Sequence, residues 1–511
     1  MNIQHFLEGT LTKNLVKIVG EDFPATVKPA QRPEFGHYQA NGIMGAAKSL
    51  KRNPRELAEK LLSNVEKQVF DAEIAGPGFI NITLKSDFVA DALLELRSDP
   101  LLGVTKPKSL RIVVDYSSPN LAKEMHIGHL RTTTIGDCIV RILEYLGHDL
   151  VRANHVGDWG SQFGSLLAYM DQLAENGESL STELKDLELF YQAASTLFKQ
   201  DPDFAEKARS YVVKLQSRDA KCMALWKQFI SESIRHSEKV YERFDITLAK
   251  GDIHAESAYN DDLPTVVEEL EREKDLLVES DGAKCVFLED FKGKNNKPLP
   301  AIIQKSDGGY PYMATDLAAA RYRTHILKAN KVLYVVGGEQ KLHLQQLFAV
   351  AKKVGYIRAD QEFKHLPFGM VLKEDGRRFK TRDGADVKLI DVIDEAIERA
   401  LTLVSKKNPK VSLSEKQKIA HVIGIGAIKY AELSKNRTTD YIFDWNRMLS
   451  FEGNTAPYLQ YSYTRIRSLF RRAEFNSIEE KIKLTEEAEL RLGVKILQFP
   501  EAIETFLEDY Q

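Results

Sequence analysis

The sequence predicts an α/β fold: a doubly wound parallel sheet with a helical insertion, preceded by a small α+β domain and followed by an all-α bundle. Three patterns favour this class. Residues 111–114 form a short β-branched run, helical spacing follows, and a second strand-like run covers residues 150–155. Residues 166–247 are helical in spacing and poor in glycine, and the pattern from residue 389 onward is nearly all helical. Strand–helix–strand order in a parallel sheet places ligands at the carboxyl ends of the strands.

The other elements follow from local patterns. Residues 3–19 and 54–65 have helical spacing, and residues 74–84 contain a Gly-Pro-Gly turn followed by an alternating strand, so we predict an α+β unit there. Strand signals return in three later runs, at residues 285–288, 301–304 and 332–336. We assign residues 250–390 to the second half of the parallel-sheet domain.

The composition is that of a globular chain. Its 511 residues suffice for three to four domains, with 43% hydrophobic and 28% charged residues. Apolar runs fall short of the roughly 18 residues that a membrane span needs, and residues 1–11 lack a secretory pattern. The three cysteines, Cys138, Cys222 and Cys285, are far apart. They argue against a disulfide framework or structural zinc and favour the reducing cytoplasm.

The most informative stretch, residues 115–131, connects the first strand of the sheet to its first helix. It contains Ser-Ser-Pro-Asn at 117–120, then Lys123, then His-Ile-Gly-His at 126–129. A helix start offers free N–H groups and a positive dipole end, which suit a phosphate. Gly128 allows close approach of a ligand to the backbone, and the two histidines can donate to phosphate oxygens.

This stretch resembles the nucleotide-binding signature of class I aminoacyl-tRNA synthetases. Ser-Ser-Pro-Asn with Lys123 is similar to the arginyl-tRNA synthetases in particular, as are residues 35–39, 436–441 and 451–455. The resemblance implies a bacterial-type enzyme that activates L-arginine with ATP and Mg²⁺ and transfers it to tRNA(Arg).

The resemblance also implies three domains in family order. They are an N-terminal α+β tRNA-contacting domain over 1–105, a catalytic nucleotide-binding domain over 106–390 with its insertion near 166–247, and a helical anticodon-binding domain over 391–511.

Arginine recognition needs fixed acceptors, because the guanidinium is planar, always charged and carries five donors. Asp115 ends the first strand, and Tyr312 and Asp316 lie four apart on one helix face. Each acid alone is also compatible with a helix cap or a surface charge. The resemblance implies five arginine-binding residues: Asp115, Asn120, Tyr312, Asp316 and Gln340. His155 and His343 are further candidates for ligand contact, and neither has metal-ligand spacing, so no metal-binding residue is predicted.

Residues 376–384 are similar to the second, mobile signature of the family, usually Lys-Met-Ser-Lys-Ser. Thr381 occupies the second lysine position, a change shared by many arginyl-tRNA synthetases, in which a lysine before the histidine motif supplies the charge; here this is Lys123. The resemblance implies catalytic roles for Lys123, His126, His129, Lys380 and Arg382. It implies ATP contacts for His126, Gly128, His129, Phe379, Lys380 and Thr381.

The charge is unevenly distributed. The whole chain carries −3, whereas residues 405–475 hold 13 Lys/Arg and 6 Asp/Glu among several aromatic residues. Such a segment suits a nucleic-acid face, and a solvated helix face is the alternative interpretation. Together with the resemblance, it predicts six tRNA-binding residues: Phe35, Tyr38, Arg437, Trp445, Tyr458 and Arg465.

Two other functions stay open. A nucleotidylyltransferase would share the His-x-Gly-His site but lack the bundle and the Tyr312/Asp316 pair. A tRNA-binding or regulatory paralogue would have lost catalysis, against which the intact histidines and Lys123 argue. We expect a monomer without a membrane segment. The last apolar stripe, at Ile503, Phe506, Leu507 and Tyr510, ends without a glycine cap, so we expect a bundle shorter than usual in the family.

Overall fold

The computed structural model describes residues 2–180, 184, 186–293, 296–373, 375–377, 387–473 and 481–511. They belong to two compact units. One unit combines Met1–Pro107 with Phe470–Gln511, and the other is Lys108–Leu469. Within the described ranges, no helix is both long enough and apolar enough to cross a membrane.

The first unit begins as a small α+β fold. Its elements are, in chain order, α1 (Ile3–Val19), β1 (Val27–Pro29), β2 (Tyr38–Ala40), α2 (Gly42–Ser49), α3 (Pro54–Ser63), β3 (Phe70–Ala75), β4 (Phe79–Leu84) and α4 (Ser86–Ser98). The strands form one antiparallel sheet in the order β1-β2-β4-β3. Helix α1 begins where the Asn2 side chain accepts from the N–H of His5 (2.9 Å), and it ends at Gly20 in the left-handed conformation. The predicted α+β fold is confirmed.

The second unit is built on a parallel sheet. Its strands and helices up to the insertion are β5 (Arg111–Asp115), α5 (His129–Tyr145), β6 (Asp149–Ala153), α6 (Ser161–Glu175), α7 (Leu187–Gln200), α8 (Pro202–Gln216) and α9 (Ala220–Arg243). They are followed by α10 (Leu263–Arg272), β7 (Leu277–Ser280), β8 (Ala283–Val286), β9 (Ala301–Gln304), α11 (Tyr312–Arg321), β10 (Lys331–Tyr334), α12 (Lys341–Lys353), β11 (Glu362–His365), β12 (Val371–Leu372), α13 (Leu389–Lys407), α14 (Leu413–Leu433), β13 (Tyr441–Ile442), α15 (Trp445–Met448) and α16 (Ala456–Arg472). The last residues of α16, from Phe470 on, belong to the first unit. The parallel sheet has the order β11-β10-β5-β6. Strands are added on both sides of β5, so the sheet is doubly wound, as predicted, and its winding switches between β5 and β10.

Two predicted strands lie outside the parallel sheet. The sequence predicts residues 285–288 and 301–304 in its second half, and this prediction is wrong. Instead β8 and β9 pair with β7 in a separate antiparallel sheet. The reason is a two-residue turn, because Asp281 and Gly282 both have positive φ and join β7 to β8 as a tight hairpin.

The helical insertion has its own apolar core. Helices α6 to α9 bury a cluster of aromatic rings: Phe163, Phe190, Phe204, Tyr211 and Phe229. Leu121 and Val156, from the segments that follow β5 and β6, are buried in the same cluster. The insertion therefore packs directly against the two loops at the carboxyl edge of the parallel sheet.

The last two helices, α17 (Glu487–Leu497) and α18 (Phe499–Asp509), belong to the first unit. Val494 and Leu497 are buried in the same core as the inner face of α1. Gly493 packs closely on α4, because a Cβ there would lie 2.9 Å from Cγ1 of Val89. This arrangement differs from the predicted single helical domain over 391–511, since the apolar face of α17 is buried against N-terminal residues.

Tyr38 also joins the two ends of the chain. Its side chain is fully buried and its hydroxyl donates to Oε1 of Glu501 at 2.7 Å. Burial and the neighbouring carboxylate raise the pKa of Tyr38. The predicted tRNA contact of Tyr38 is therefore incompatible with the structure, in which the residue stabilises the first unit.

We predict that Leu497→Ala loosens the N-terminal segment of the first unit. Leu497 is 2% exposed, and emptying its site should destabilise this core by about 2–5 kcal/mol. Hydrogen–deuterium exchange of the α1 amides should accelerate, with the α5 amides as an internal reference. Leu492→Ala is the matched control on the same helix, because Leu492 is 63% exposed. Equal exchange in the two variants would show that α17 is not part of this core.

Candidate functional site

Hydrogen bonds stabilise the point between β5 and β10 where the winding of the parallel sheet reverses, which we call the winding switch. Asp115 and Tyr334 end β5 and β10 directly opposite each other, and the N–H of Val335 donates to the Asp115 carbonyl at 2.8 Å. Thr132 of α5 reaches across this point: its hydroxyl donates to the Val335 carbonyl (2.6 Å) and accepts from the N–H of Ser117 (3.0 Å). The start of α5 is thus held over the edge where ligands of such sheets bind.

The Ser-Ser-Pro-Asn run forms a strained turn. Ser117 and Ser118 have φ of 68° and 45°, a conformation that costs about 1–3 kcal/mol for each non-glycine residue. Polar contacts maintain it: the Ser117 hydroxyl pairs with the Tyr241 hydroxyl (2.8 Å), and the Ser118 hydroxyl donates to Asp115 (2.9 Å). The serines are therefore required to hold the turn after β5, which aims the following residues at the edge of the sheet.

His126 and His129 lie side by side, with ring centroids 4.2 Å apart. The N–H of Gly128 donates to Nδ1 of His126 (3.0 Å), and the N–H of His126 donates to Nδ1 of His129 (3.1 Å). Nδ1 of His126 acts as an acceptor, so that ring carries its proton on Nε2. Nδ1 of His129 also lies 3.2 Å from the His126 carbonyl, so it faces both a backbone N–H and a backbone carbonyl. A Cβ at position 128 would lie 2.6 Å from Cε1 of His126, so a larger residue there would require this ring to move.

His129 is neutral across the physiological range. Burial and the neighbouring His126 lower the pKa of His129 to about 3. The site consequently offers an uncharged imidazole to a phosphate bound at the start of α5.

Lys123 lies exposed at the same edge. Its ammonium group sits 4.3 Å from the ring centroid of Tyr191 on α7. The residues predicted from the second signature, Phe379, Lys380, Thr381 and Arg382, lie outside the described residues.

An acidic cluster around Asp316 joins the segments that follow β6 and β10. Oδ2 of Asp316 contacts Nε2 of His343 at 2.6 Å, and its Oδ1 lies 3.6 Å from Nε2 of His155. The hydrogen bond that His343 donates to Asp316 raises the pKa of His343. Tyr312 is exposed one helical turn before Asp316. Four of the residues singled out in the sequence therefore meet at one place.

Glu256 is a member of this cluster that sequence reasoning missed. Burial, then the charges of Asp316 and Asp158, raise the pKa of Glu256 to about 8. Both carboxylate oxygens of buried Asp158 accept hydrogen bonds from Ser257, which fixes the segment that carries Glu256. Residues 253–257 have no periodic pattern in the sequence, so only the burial and the neighbouring acids reveal this residue.

Asp115 is not a free acceptor for a substrate, because its carboxylate is paired within the protein. Its carboxylate is buried and forms an ion pair with buried Arg323, Oδ2 to Nη2 at 2.6 Å. Its charge is therefore already balanced inside the protein. Asn120 accepts from the N–H of Ala122 (3.0 Å), and Gln340 is exposed at the end of a short 3₁₀ turn.

The residues predicted to contact tRNA differ in exposure. Tyr458 and Arg465 are exposed on α16, Phe35 is half-buried, and half-buried Trp445 packs on Phe443 with ring centroids 4.7 Å apart. Arg437 is buried and its Nη1 donates to the Pro367 carbonyl at 2.6 Å. The predicted tRNA contact of Arg437 is therefore incompatible with the structure, because its guanidinium is hydrogen-bonded to the segment before β12.

Comparison with known families agrees with this geometry. The family described as tRNA synthetases class I (R), catalytic domain, matches residues 91–445. The chain belongs to the arginyl-tRNA synthetase family. The arginyl-tRNA synthetase N-terminal domain matches residues 2–84, and the DALR anticodon-binding domain matches residues 459–511.

Similar proteins are found at high coverage. The arginine–tRNA ligase of Hahella chejuensis is 53% identical over 98% of this chain and 88% of its own length. That of Chromobacterium violaceum is 49% identical over 99% of this chain and 89% of its own. The crystal structure of the Plasmodium falciparum arginyl-tRNA synthetase aligns with all of this chain and 88% of its own, with a TM-score of 0.84 and 31% identity. In the part of this chain that the structure describes, no group of three or more His, Cys, Asp or Glu is arranged to hold a metal ion.

We predict that Arg437→Ala weakens the local structure of residues 367–372, whereas Arg465→Ala leaves it unchanged. Removing the Arg437 guanidinium breaks a buried charge-assisted hydrogen bond worth about 1.5–3 kcal/mol. Backbone hydrogen exchange over residues 367–372 should therefore accelerate in Arg437→Ala and stay at the parent rate in Arg465→Ala. Parent-like exchange in both variants would contradict the structural role of Arg437.

Proposed function

We propose that the chain is an arginine–tRNA ligase, which activates L-arginine with ATP and transfers the arginyl group to the 3′ end of tRNA(Arg). One observation carries the proposal: the histidine pair follows β5, while Asp316 contacts His155 after β6 and His343 after β10, so both groups lie at the carboxyl ends of neighbouring parallel strands. A nucleotidylyltransferase has no use for that acidic cluster. Family membership and the intact histidines favour catalysis over a paralogue that only binds tRNA.

The acidic cluster supports recognition of the guanidinium. Asp316 and Glu256 provide carboxylates from two different segments, and exposed Tyr312 stands at the entrance. A lysine side chain would leave acceptors of this cluster unpaired, at about 1–3 kcal/mol for each. Among the residues expected to bind arginine, we assign Asp115 to holding the edge of the site through Arg323, with Asn120 and Gln340 at its rim.

The chemistry needs alignment more than acid–base catalysis. The arginine carboxylate is already ionised at pH 7. It attacks the α-phosphorus of ATP, the bond from that phosphorus to the bridging oxygen breaks, and pyrophosphate leaves. Nε2–H of His126 and His129 donate to phosphate oxygens, and Lys123 supplies a positive charge as negative charge develops on them. We take the ATP substrate to enter as its Mg²⁺ complex.

The second step transfers the arginyl group to tRNA. A hydroxyl of the terminal ribose attacks the arginyl carbonyl, AMP leaves with the electron pair of the mixed anhydride, and the hydroxyl proton is released. Exposed Tyr458 and Arg465 on α16 support contact with tRNA, because cations meet phosphates and rings stack on unpaired bases. We further propose a monomer in the cytoplasm, where the three free cysteines would stay reduced.

The test of this function is arginine-dependent exchange of pyrophosphate into ATP, measured with and without tRNA, followed by arginylation of tRNA(Arg). A ligase supports both reactions. A nucleotidylyltransferase would show exchange without arginine, and a regulatory paralogue would bind tRNA without exchange.

We predict that Lys123→Ala slows activation much more than it weakens arginine binding. Loss of one charge stabiliser in the transition state should cost roughly 2–4 kcal/mol, a rate decrease of about 10²- to 10³-fold. Exchange rates at saturating ATP measure the effect, and Lys227→Ala, at an exposed position of α9, is the control. A Lys123→Ala rate within a few-fold of the parent would refute this role.

We predict that arginine binding releases protons at pH 7. The pKa of Glu256 is about 8 in the free protein, so this carboxyl is mostly protonated there, and a bound cation favours its ionised form. Arginine affinity should therefore rise with pH up to about 8 and then level off. Calorimetry in two buffers of different ionisation enthalpy counts the protons.

Glu256→Gln should lose most of this release, with a remainder from His343 when the guanidinium competes for Asp316. Glu273→Gln, at an exposed position, should behave as the parent. Unchanged proton release in Glu256→Gln would place the guanidinium away from this carboxyl.

A further inference from the structure

Residues 387–389 form a short antiparallel ladder with the first signature. The N–H of Ile127 donates to the Val387 carbonyl, and the N–H of Leu389 donates to the Met125 carbonyl, both at 2.9 Å. His126 and Lys388 are directly opposite each other in this ladder. The backbone position of His126 therefore depends on the segment that leads into α13.

The side chain of Lys388 adds a second connection. Its Nζ lies 3.3 Å from Oε1 of Glu124 and 2.8 Å from Oδ2 of Asp186. Asp186 also caps α7, because its Oδ1 accepts from the N–H of Leu189 at 3.0 Å. One ammonium group thus links the first signature, the helical insertion and the start of α13.

The charges at this junction support the ion pairs. Burial opposes ionisation of Glu124, but hydrogen bonds from His236 and Lys388 and the Lys388 charge hold the pKa of Glu124 below its ordinary value. The pKa of Lys388 is raised in turn: burial opposes its charge, but the hydrogen bond that it donates to Asp186 and the negative charge of Glu124 outweigh the effect of burial. Both groups are therefore charged at neutral pH, in a half-buried setting where the attraction is less screened than at a free surface.

The junction borders a cavity of about 360 Å³ between α9 and α13. Lys123, Glu124 and Lys388 line it together with Lys239 of α9. Because Glu124 is the immediate chain neighbour of Lys123, the contact between Glu124 and Lys388 also fixes the backbone from which Lys123 extends.

We infer that Lys388 is a positioning residue for the activation step: through Glu124, Asp186 and the ladder opposite His126, it holds Lys123 and the histidine pair where the phosphates of ATP react. The inference rests on the proposed function. Lys388 acts on the reaction through the residues it holds. Misplacement of reacting groups by about 1 Å can lower a rate about 10²-fold.

Lys388→Met tests this role, because methionine keeps the apolar stem and removes the charge. The rate of arginine-dependent pyrophosphate exchange at saturating ATP should fall about 10- to 100-fold, while the dissociation constant for arginine, measured by calorimetry, stays within about twofold. Lys388→Arg keeps the charge and should recover most of the rate. Lys239→Met, which removes a charge from the same cavity, should keep the parent rate.

A double-mutant cycle separates positioning from general destabilisation. If Lys388 acts through Glu124, the variant Lys388→Met/Glu124→Gln should be no slower than the slower single variant. The inference would be overturned if the rate losses of the two single variants multiplied in the double variant. It would also be overturned if Lys388→Met lost as much arginine affinity as rate, or if it kept the parent rate. Absence of exchange in the parent would instead overturn the proposed function, so the two failures are distinguishable.

Discussion

The buried guanidinium of Arg131 is the constraint on which the catalytic unit depends. It lies two residues after His129 on α5, and its Nε donates to Oε1 of Glu432 on α14 at 2.8 Å, with both side chains almost inaccessible to solvent. The other nitrogens donate to the carbonyls of Thr439 (2.8 Å) and Arg437 (3.1 Å). Removing one partner of such a pair leaves an uncompensated buried charge, at about 3–5 kcal/mol. The geometry of the histidine pair is therefore tied to the helical region that follows the sheet.

The same network fixes the chain on both sides of residues 374–386. The segment before them is held where the N–H of Gly369 donates to the Arg437 carbonyl (3.1 Å) and β12 pairs with β13. Position 369 must be glycine, because a Cβ there would lie 2.6 Å from the Thr439 backbone. The segment after them is held by the ladder at Lys388. The chain on both sides of these residues is thus anchored to the α5 region, on one side through Arg131 and on the other through the first signature.

The sequence predicted those features whose physical signal lies in a few neighbouring residues. Helix α1 and strand β9 have the predicted bounds because their patterns are local. The β7–β8 hairpin was not predicted, because it depends on the Asp281-Gly282 turn and not on a periodic pattern. The histidine pair was recognisable as a motif. Burial was not recognisable: Tyr38 and Arg437 are of residue types typical of a nucleic-acid contact, yet their hydrogen-bond partners lie 463 and 70 residues away in the chain. Glu256 belongs to the site only through acids that meet in three dimensions.

The shared core of the two chain ends has a consequence for the order in which the protein is made. Leu96 and Val494 belong to one apolar cluster, although about 400 residues separate them in the chain. A ribosome adding about 5–20 residues per second needs roughly 20–80 seconds to cover that interval. During this time the parallel-sheet unit is synthesised, and the inner face of α4 lacks α17 until that unit has its complete sequence. The first segment to be synthesised is therefore among the last to acquire its full packing.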